Sequence, residues 1–380
     1  MKIEYRAVVY DAEVHGEAGQ TSFFDSVRGL ASGTWLSGCT TGKTKHHHEG
    51  TIRVSRSRDD AVSWETLPWQ FETKIDGVPG SLAGAEMVEV EPGRVLLFST
   101  WFDRSEPDRP LFDPATEGLL RSRLLVCEST DEGNSWTSWR KIATPGVTGC
   151  AMTGPIVQWP NGTLGFNFES FKEFDDPTPV EPGAWLLLSE DGGQKFDRLF
   201  GVARHPESLL YYWDQRLCPG IADGEFLGLF WTHNRSEKRD IRVHFLRANI
   251  DGERSATLPV ETTISGQIAA PLLLDDGRIL AFVVDRDRPG TLKLWQSSDD
   301  GATWPENACF TVHVHDEQAL LSQGSGKDNV DFAEFWEDMG RWSFGHPSLA
   351  KAGSHRVLAT WYAGTPVCMS VHSAMIDVSE

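Results

Sequence analysis

Ser297-Ser298-Asp299-Asp300-Gly301-Ala302-Thr303-Trp304 has a close copy in Ser129-Thr130-Asp131-Glu132-Gly133-Asn134-Ser135-Trp136. Both fit Ser-x-Asp-x-Gly-x-Ser/Thr-Trp. Two looser copies exist. Ser57-Arg58-Asp59-Asp60-Ala61-Val62-Ser63-Trp64 lacks the glycine, and Ser189-Glu190-Asp191-Gly192-Gly193-Gln194-Lys195-Phe196 ends on Phe. In such a segment the aspartate accepts hydrogen bonds from backbone amides of its own turn. The glycine admits a positive φ, and the tryptophan buries its ring beneath the turn. The element staples a turn between strands and performs no chemistry. Recurrence along one chain marks a repeat architecture.

A second repeat is independent of the first. Glycine turns at Ser32-Gly33, Pro92-Gly93, Asn161-Gly162, Asp223-Gly224, Asp276-Gly277 and Ala352-Gly353 each separate two short apolar runs, such as Pro271-Leu272-Leu273-Leu274 and Arg278-Ile279-Leu280-Ala281-Phe282. Asn-Gly and Asp-Gly between apolar runs are strong hairpin signals. The hairpins recur roughly every 50 to 75 residues, near the longer blade periods of propellers. The eight-residue segments fall one strand later in each unit, and residues 247–252 stand where an eroded copy belongs. The expected fold is all-β: one six-bladed β-propeller of four-stranded antiparallel blades, a single domain over residues 1–380. The run Tyr5-Arg6-Ala7-Val8-Val9-Tyr10 is expected to complete the last blade, since closing the ring removes open edges. Residues 316–331 and 174–183 read as long loops, with a short helix over 328–338.

Composition narrows the function. The net charge is −20, which excludes a basic footprint for nucleic acid. No apolar run approaches the length of a membrane span, and the first residues carry no leader signal, so the expected location is cytoplasmic. Cys39, Cys127, Cys150, Cys218, Cys309 and Cys368 stand singly, which argues for free thiols and against a zinc ribbon. No cofactor is expected.

These segments on a six-hairpin repeat resemble the sialidase superfamily of Asp-box, or BNR-repeat, propellers, over essentially the whole chain. The resemblance implies a pocket in which three arginines grip a sugar carboxylate, a tyrosine assisted by a glutamate attacks, and an aspartate serves as acid and base. Arg28, before the first hairpin turn, resembles the first of those arginines, although the family's Arg-Ile-Pro reads Arg28-Gly29-Leu30 here. Arg235 resembles the second, and Arg286 is the candidate third. Tyr362 is the first choice of nucleophile, with Tyr211 and Tyr212 as alternatives and Glu169 or Asp214 as the assisting carboxylate. The loop at 40–50, where the family's aspartate belongs, contains none, so Glu49 or a histidine takes that part.

Strand geometry points to the same face. The start of the first strand and the end of the second lie at one end of each hairpin, and on a propeller those ends surround the axis. Asp25, Glu86, Trp101, Met152, Thr153, Arg216, His233, Gln267, Arg286, Arg288 and His346 fall there, as does the loop with His46, His47 and His48. Arginine suits an anionic sugar because its guanidinium grips a carboxylate through two parallel hydrogen bonds. Arg216, His48, His233, His346 and Trp101 complete the substrate-binding candidates. Adjacent histidines seldom all point at one ion, so no metal is expected. The leading expectation is an exo-acting glycoside hydrolase for an acidic sugar of sialic-acid or uronate type. A polysaccharide lyase using His, Tyr and Arg, and a glycan-binding propeller without catalysis, are the alternatives.

Overall fold

The computed structural model describes residues 1–16, 20–179, 181, 183–252, 258–287, 289–315 and 339–379. The helix expected at 328–338, the loop at 316–331 and Arg288 lie outside the described residues. The six hairpin glycines have φ between 75° and 87°, and each sits between two antiparallel partner strands. A side chain is disfavoured in this left-handed region, which is why glycine occupies it.

Among the described residues the strands form five hydrogen-bonded sheets. Four of them are built around the strand pairs Gly80–Glu91 with Arg94–Asp103, Gly149–Met152 with Leu164–Phe171, Leu210–Pro219 with Glu225–Asn234, and Ala269–Leu273 with Ile279–Asp285. The fifth has eight strands and contains two four-strand groups. One starts at Thr21–Gly29. The other runs Phe344–Lys351, Arg356–Thr365, Cys368–Asp377 and then the N-terminal strand Lys2–Tyr10. A lone parallel pairing, Thr21 with Met369, joins the groups. The N-terminal strand pairs with Cys368–Asp377 from Lys2–Asp377 to Tyr10–Val371, as expected from the need to close the ring.

The sheets stand side by side around an axis. Strand Thr21–Gly29 packs against both Gly80–Glu91 and Phe344–Lys351, and Ala269–Leu273 packs against both Leu210–Pro219 and Phe344–Lys351. Gly149–Met152 touches the preceding sheet and Leu164–Phe171 the following one, which closes a propeller. Apolar clusters fill the spaces between neighbouring sheets: Phe98, Phe166 and Phe196 in one, Trp159, Phe200 and Phe226 in the next. Burying such a side chain contributes on the order of 2 kcal/mol each.

The eight-residue segments begin on the last residue of a third strand, at Ser57, Ser129, Ser189 and Ser297. In the last copy Ser297 donates to Asp299 at 2.8 Å, the Gly301 amide donates to Ser297 Oγ at 3.0 Å, and Thr303 donates to Asp299 through its amide (2.9 Å) and its hydroxyl (2.6 Å). The other copies repeat the serine–aspartate bond. Gly133, Gly193 and Gly301 have φ near 85°, and Ala61 holds the same conformation at 66°. Each glycine faces the preceding sheet: Gly133 faces Leu36 and Leu67, Gly193 faces Leu96, and Gly301 faces Phe245. The segment is therefore a wedge between sheets as well as a turn. Asn249 ends the corresponding third strand, and its Oδ1 accepts from the Asp251 amide at 2.8 Å, the place anticipated for the eroded copy. All six cysteines are free thiols. Among the described residues no helix is long and apolar enough to cross a membrane.

Candidate active site

Four of the first strands are interrupted at the same height. Register slips between Phe23 and Ser26, Ala83 and Glu86, Trp213 and Arg216, and Gly345 and Ser348. Within each slip one residue takes a left-handed φ: Phe24 at 49°, Gly84 at 73°, Asp214 at 45° and His346 at 54°. A bulge re-aims the side chain it carries, and these four residues line one central cavity. For a residue other than glycine the conformation costs on the order of 1 kcal/mol, and Phe24, Asp214 and His346 all bear that cost around one axis. Glu86, Glu169, His46, Thr100 and Thr153 add polar groups, and Phe102, Phe112, Met152, Trp213 and Trp231 supply apolar wall.

The charged groups facing this cavity are carboxylates. Glu86 is buried, and burial pushes its carboxyl up to about 7 against the pull of Arg216 and Arg28. Glu169 is held well above the usual range, first by burial and then by the charge of Asp214. Asp214 is also raised by burial. It is opposed there by Arg216, whose Nε donates to Oδ1 at 3.0 Å with NH2 2.8 Å from the same oxygen. Gln215 ties this bulge to the preceding sheet by donating to the carbonyls of Phe168 (2.9 Å) and Trp185 (3.0 Å). Behind them Asp25 is fully buried near the Thr360 hydroxyl, and burial raises it well above its ordinary value. His346 Nδ1 bonds the Asp25 carbonyl at 2.9 Å, and burial holds the ring neutral. The carboxyl groups of Glu86, Glu169 and Asp214 are all raised by burial, and among the described residues only Asp214 of the three has an arginine ion-paired directly to it, a difference of environment that can separate base from acid.

A second polar chain runs behind the cavity. His233 Nδ1 meets Asp240 Oδ1 at 2.9 Å, Gln267 donates to the other Asp240 oxygen at 2.9 Å, and Arg286 Nε donates to Gln267 Oε1 at 2.9 Å. Arg286 also donates to the Phe344 carbonyl at 2.7 Å and lies 3.9 Å from the centroid of Trp342. Tyr362 neighbours it. The Tyr362 hydroxyl accepts from Lys45 Nζ at 2.7 Å, and burial pushes the phenol up to about 12.

The residues expected from sequence divide accordingly. Asp214, Glu169 and His346 line the cavity, and Arg216 stands directly behind Asp214. Tyr362 and Arg286 lie one layer back and do not line it. Arg28 does not line the cavity; it donates to the carbonyls of Met87 (3.1 Å) and Ile156 (3.2 Å) and fastens three sheets together. Arg235 sits at the rim over the Tyr211 ring, 4.6 Å from its centroid, and donates to the Ser208 carbonyl. Glu49 is exposed, paired with Lys43 at 3.1 Å, and does not line the cavity. His48 lies beside His47, the rings tilted with 4.3 Å between centroids, on the outer rim. His233 is engaged by Asp240 and stacks on Trp213. Trp101 donates to the Thr73 carbonyl at 2.8 Å and packs in an intersheet cluster, so it offers no stacking surface. His47, His48 and Glu49 bring their ligand atoms within 4.8 Å of one another. The expectation of an arginine-lined pocket is corrected: no arginine lines this cavity among the described residues. Strand-end position alone had put Glu86 and Asp25 on this face. It gave no role to Phe24, Asp240 or Lys45, because neither a bulge nor a long-range partner leaves a local sequence signal.

No known family model and no curated protein sequence matches the chain. Solved structures do match. A protein of unknown function from Dyadobacter fermentans superposes at TM-score 0.70 with 15% identity over 99% of both chains. The Hadza microbial sialidase Hz136 gives 0.67 with 14% identity over 98% of this chain and 68% of that one. An alpha-L-arabinanase from Penicillium chrysogenum, complexed with arabinobiose, gives 0.65 with 10% identity over 100% and 99%. Such likeness establishes a fold: the chain has an all-β propeller fold like that of this sialidase and this arabinanase.

Proposed function

We propose that this chain is a single six-bladed propeller and an exo-acting glycoside hydrolase whose cavity receives an uncharged sugar ring. The observation that carries the reading is the convergence of Glu86, Glu169 and Asp214 on one cavity walled by aromatic side chains. Glycoside hydrolysis needs one carboxylic acid to protonate the leaving oxygen and one carboxylate to stabilise or attack the anomeric carbon, or to activate water. Asp214, countered by Arg216, is the carboxylate. Glu86, near 7, is the acid whose proton passes to the leaving oxygen as the C–O bond breaks. Glu169 stays protonated beside Asp214 and donates to a sugar hydroxyl.

The sugar class follows from the lining. Arg28 and Arg235 are engaged elsewhere, Arg216 serves Asp214, and Arg286 is covered by Trp342. A carboxylate placed in this cavity would meet carboxyl groups. A neutral ring meets Trp213, Trp231 and Phe112, the apolar wall typical of sugar sites, and one of the similar folds holds the uncharged disaccharide arabinobiose.

The test is a panel of neutral, sialylated and uronate-containing glycans, with products followed by mass spectrometry. Release of a terminal neutral sugar with addition of water is expected, and Asp214→Asn is expected to lower kcat by about 10³-fold or more. Release of sialic acid would restore the acidic-sugar reading. Products lighter by one water would identify a lyase, and binding without turnover of any glycan would identify a binding propeller.

A further inference from the structure

Beside the central cavity lies a second depression, which shares His46, Leu111 and Phe112 with it. Its charged lining is cationic: Lys45, Arg104 and Arg109, with His47 and His48 at the edge. The one carboxylate in that lining among the described residues, Asp113, caps its own turn by accepting from the amides of Ala115 (2.7 Å) and Thr116 (3.1 Å). In a chain of net charge −20 such a surface is unusual.

Arg109 is matched by Glu106 at 3.1 Å. Among the described residues the other two cations have only neutral partners. Lys45 donates to the Tyr362 hydroxyl (2.7 Å) and the Met339 carbonyl (3.1 Å). Arg104 donates to Ser81 Oγ (2.9 Å) and to the carbonyls of His46 (3.0 Å) and Arg109 (3.4 Å). Neither meets a carboxylate among the described residues. Desolvated cations are ordinarily paired with an anion. Consistent with that missing partner, burial holds Lys45 well below its ordinary range and Arg104 at about 10. Lys45 is partly exposed and can touch a ligand, whereas Arg104 is buried behind His46 and adds its field.

We propose that this depression binds an anionic group, a carboxylate or a sulfate ester, on the sugar adjoining the one held in the cavity. The substrate is then a mixed glycan with a neutral terminal residue next to an acidic one. The position of that sugar rests on the hydrolase reading, while the anion site rests on Lys45 and Arg104 alone.

Calorimetry with the Asp214→Asn chain separates binding from turnover. Three oligosaccharides of one length are compared: uronate-containing, its carboxyl-reduced counterpart, and a sulfated one. Affinity for the uronate or the sulfated ligand at least tenfold above the reduced one, weakened by salt and lost in Lys45→Gln, is the expected result. The preferred ligand then names the anion. Lys45→Gln is expected to leave hydrolysis of wholly neutral glycans within about threefold of the parent, which also reports that it folds. Equal affinity for all three ligands overturns the proposal and leaves the hydrolase reading intact. Selective anion binding by a wild-type chain that hydrolyses no glycan overturns the hydrolase reading and leaves the anion site standing.

Discussion

The Lys45 ammonium donates to the Tyr362 hydroxyl at 2.7 Å and lies 4.4 Å from the centroid of the same ring. Loop 43–50 is thus fastened to the second strand of the last group by a polar contact and a cation–π contact together, and the latter contributes about 1 kcal/mol. Tyr362 is engaged by this lysine and by Arg286, one layer behind the cavity. The bulge residues Asp214 and His346 occupy the positions on the axis. Tyr362→Phe is expected to keep kcat within about tenfold and to lower stability by about 1 to 2 kcal/mol, because a desolvated ammonium loses an acceptor. Steady-state kinetics and thermal unfolding check both halves. A loss of 10³-fold in kcat at unchanged stability would return the nucleophile's role to Tyr362.

Glu86 links pH to both stability and rate. Its carboxyl is raised from 4.5 to about 7 in the folded chain. Between those values the folded state holds a proton that the unfolded state has released, so stability falls as pH rises through that window. The stabilisation lost by pH 8 is about 3 kcal/mol. Glu86→Gln removes the titration. It is expected to melt above the wild type at pH 8, and the gap is expected to close by pH 5. The alkaline limb of the rate profile, with an apparent pKa near 7, is expected to vanish with the activity. Melting curves at several pH values test the first statement without any substrate.

The repeat was legible because its information is local. Serine, aspartate and glycine within eight positions dictate one hydrogen-bonded turn, and a glycine between two apolar runs dictates a hairpin. Closure by residues 2–10 was legible because an unpaired edge must be covered. Asp214, Glu169 and His346 were placed by their height on a strand, and they line the cavity. The arginines were misjudged for a physical reason: a guanidinium at a strand end reaches carbonyls below the face as readily as a ligand above it, and Arg28 does so at Met87 and Ile156. The bulges at Phe24, Asp214 and His346 were invisible because hydrogen-bond register depends on the partner strand.

The looser copy at 57–64 provides a test of the turn. Ala61 holds φ at 66°, where its sister segments have glycine near 85°. An L-residue in the left-handed region carries a penalty on the order of 1 kcal/mol, partly offset by the greater unfolded-state freedom of glycine. Ala61→Gly is therefore expected to stabilise the chain by about 0.5 kcal/mol. At Gly301 a Cβ would lie 2.4 Å from the Phe245 ring, so Gly301→Ala combines the penalty with overpacking and is expected to cost about 2 to 4 kcal/mol. Denaturant midpoints of the two variants are expected to move in opposite directions.

The seam between the last two strand groups carries a histidine cluster that makes the fold acid-sensitive. His313 faces His315, His372 and Arg6, and it packs on Trp361 with ring centroids 5.7 Å apart. Burial first, and then the neighbouring His315, His372 and Arg6, bring His313 from 6.5 to about 4, and burial lowers His372 as well. Arg6 comes from the N-terminal strand and donates to the Val312 carbonyl, so the cluster sits where that strand closes the ring. A histidine lowered by folding is neutral in the native state while its unfolded form already binds a proton below pH 6.5. The unfolded state then takes up more protons, and stability falls as pH drops from 6.5 to about 4. Discounted for partial exposure, the loss is about 1 to 2 kcal/mol for His313. His313→Gln is expected to flatten the stability–pH curve over this window and to leave it unchanged above pH 7. Urea unfolding at pH 7.5, 6 and 5 measures it, and an equal acid loss in variant and parent would remove His313 as the cause.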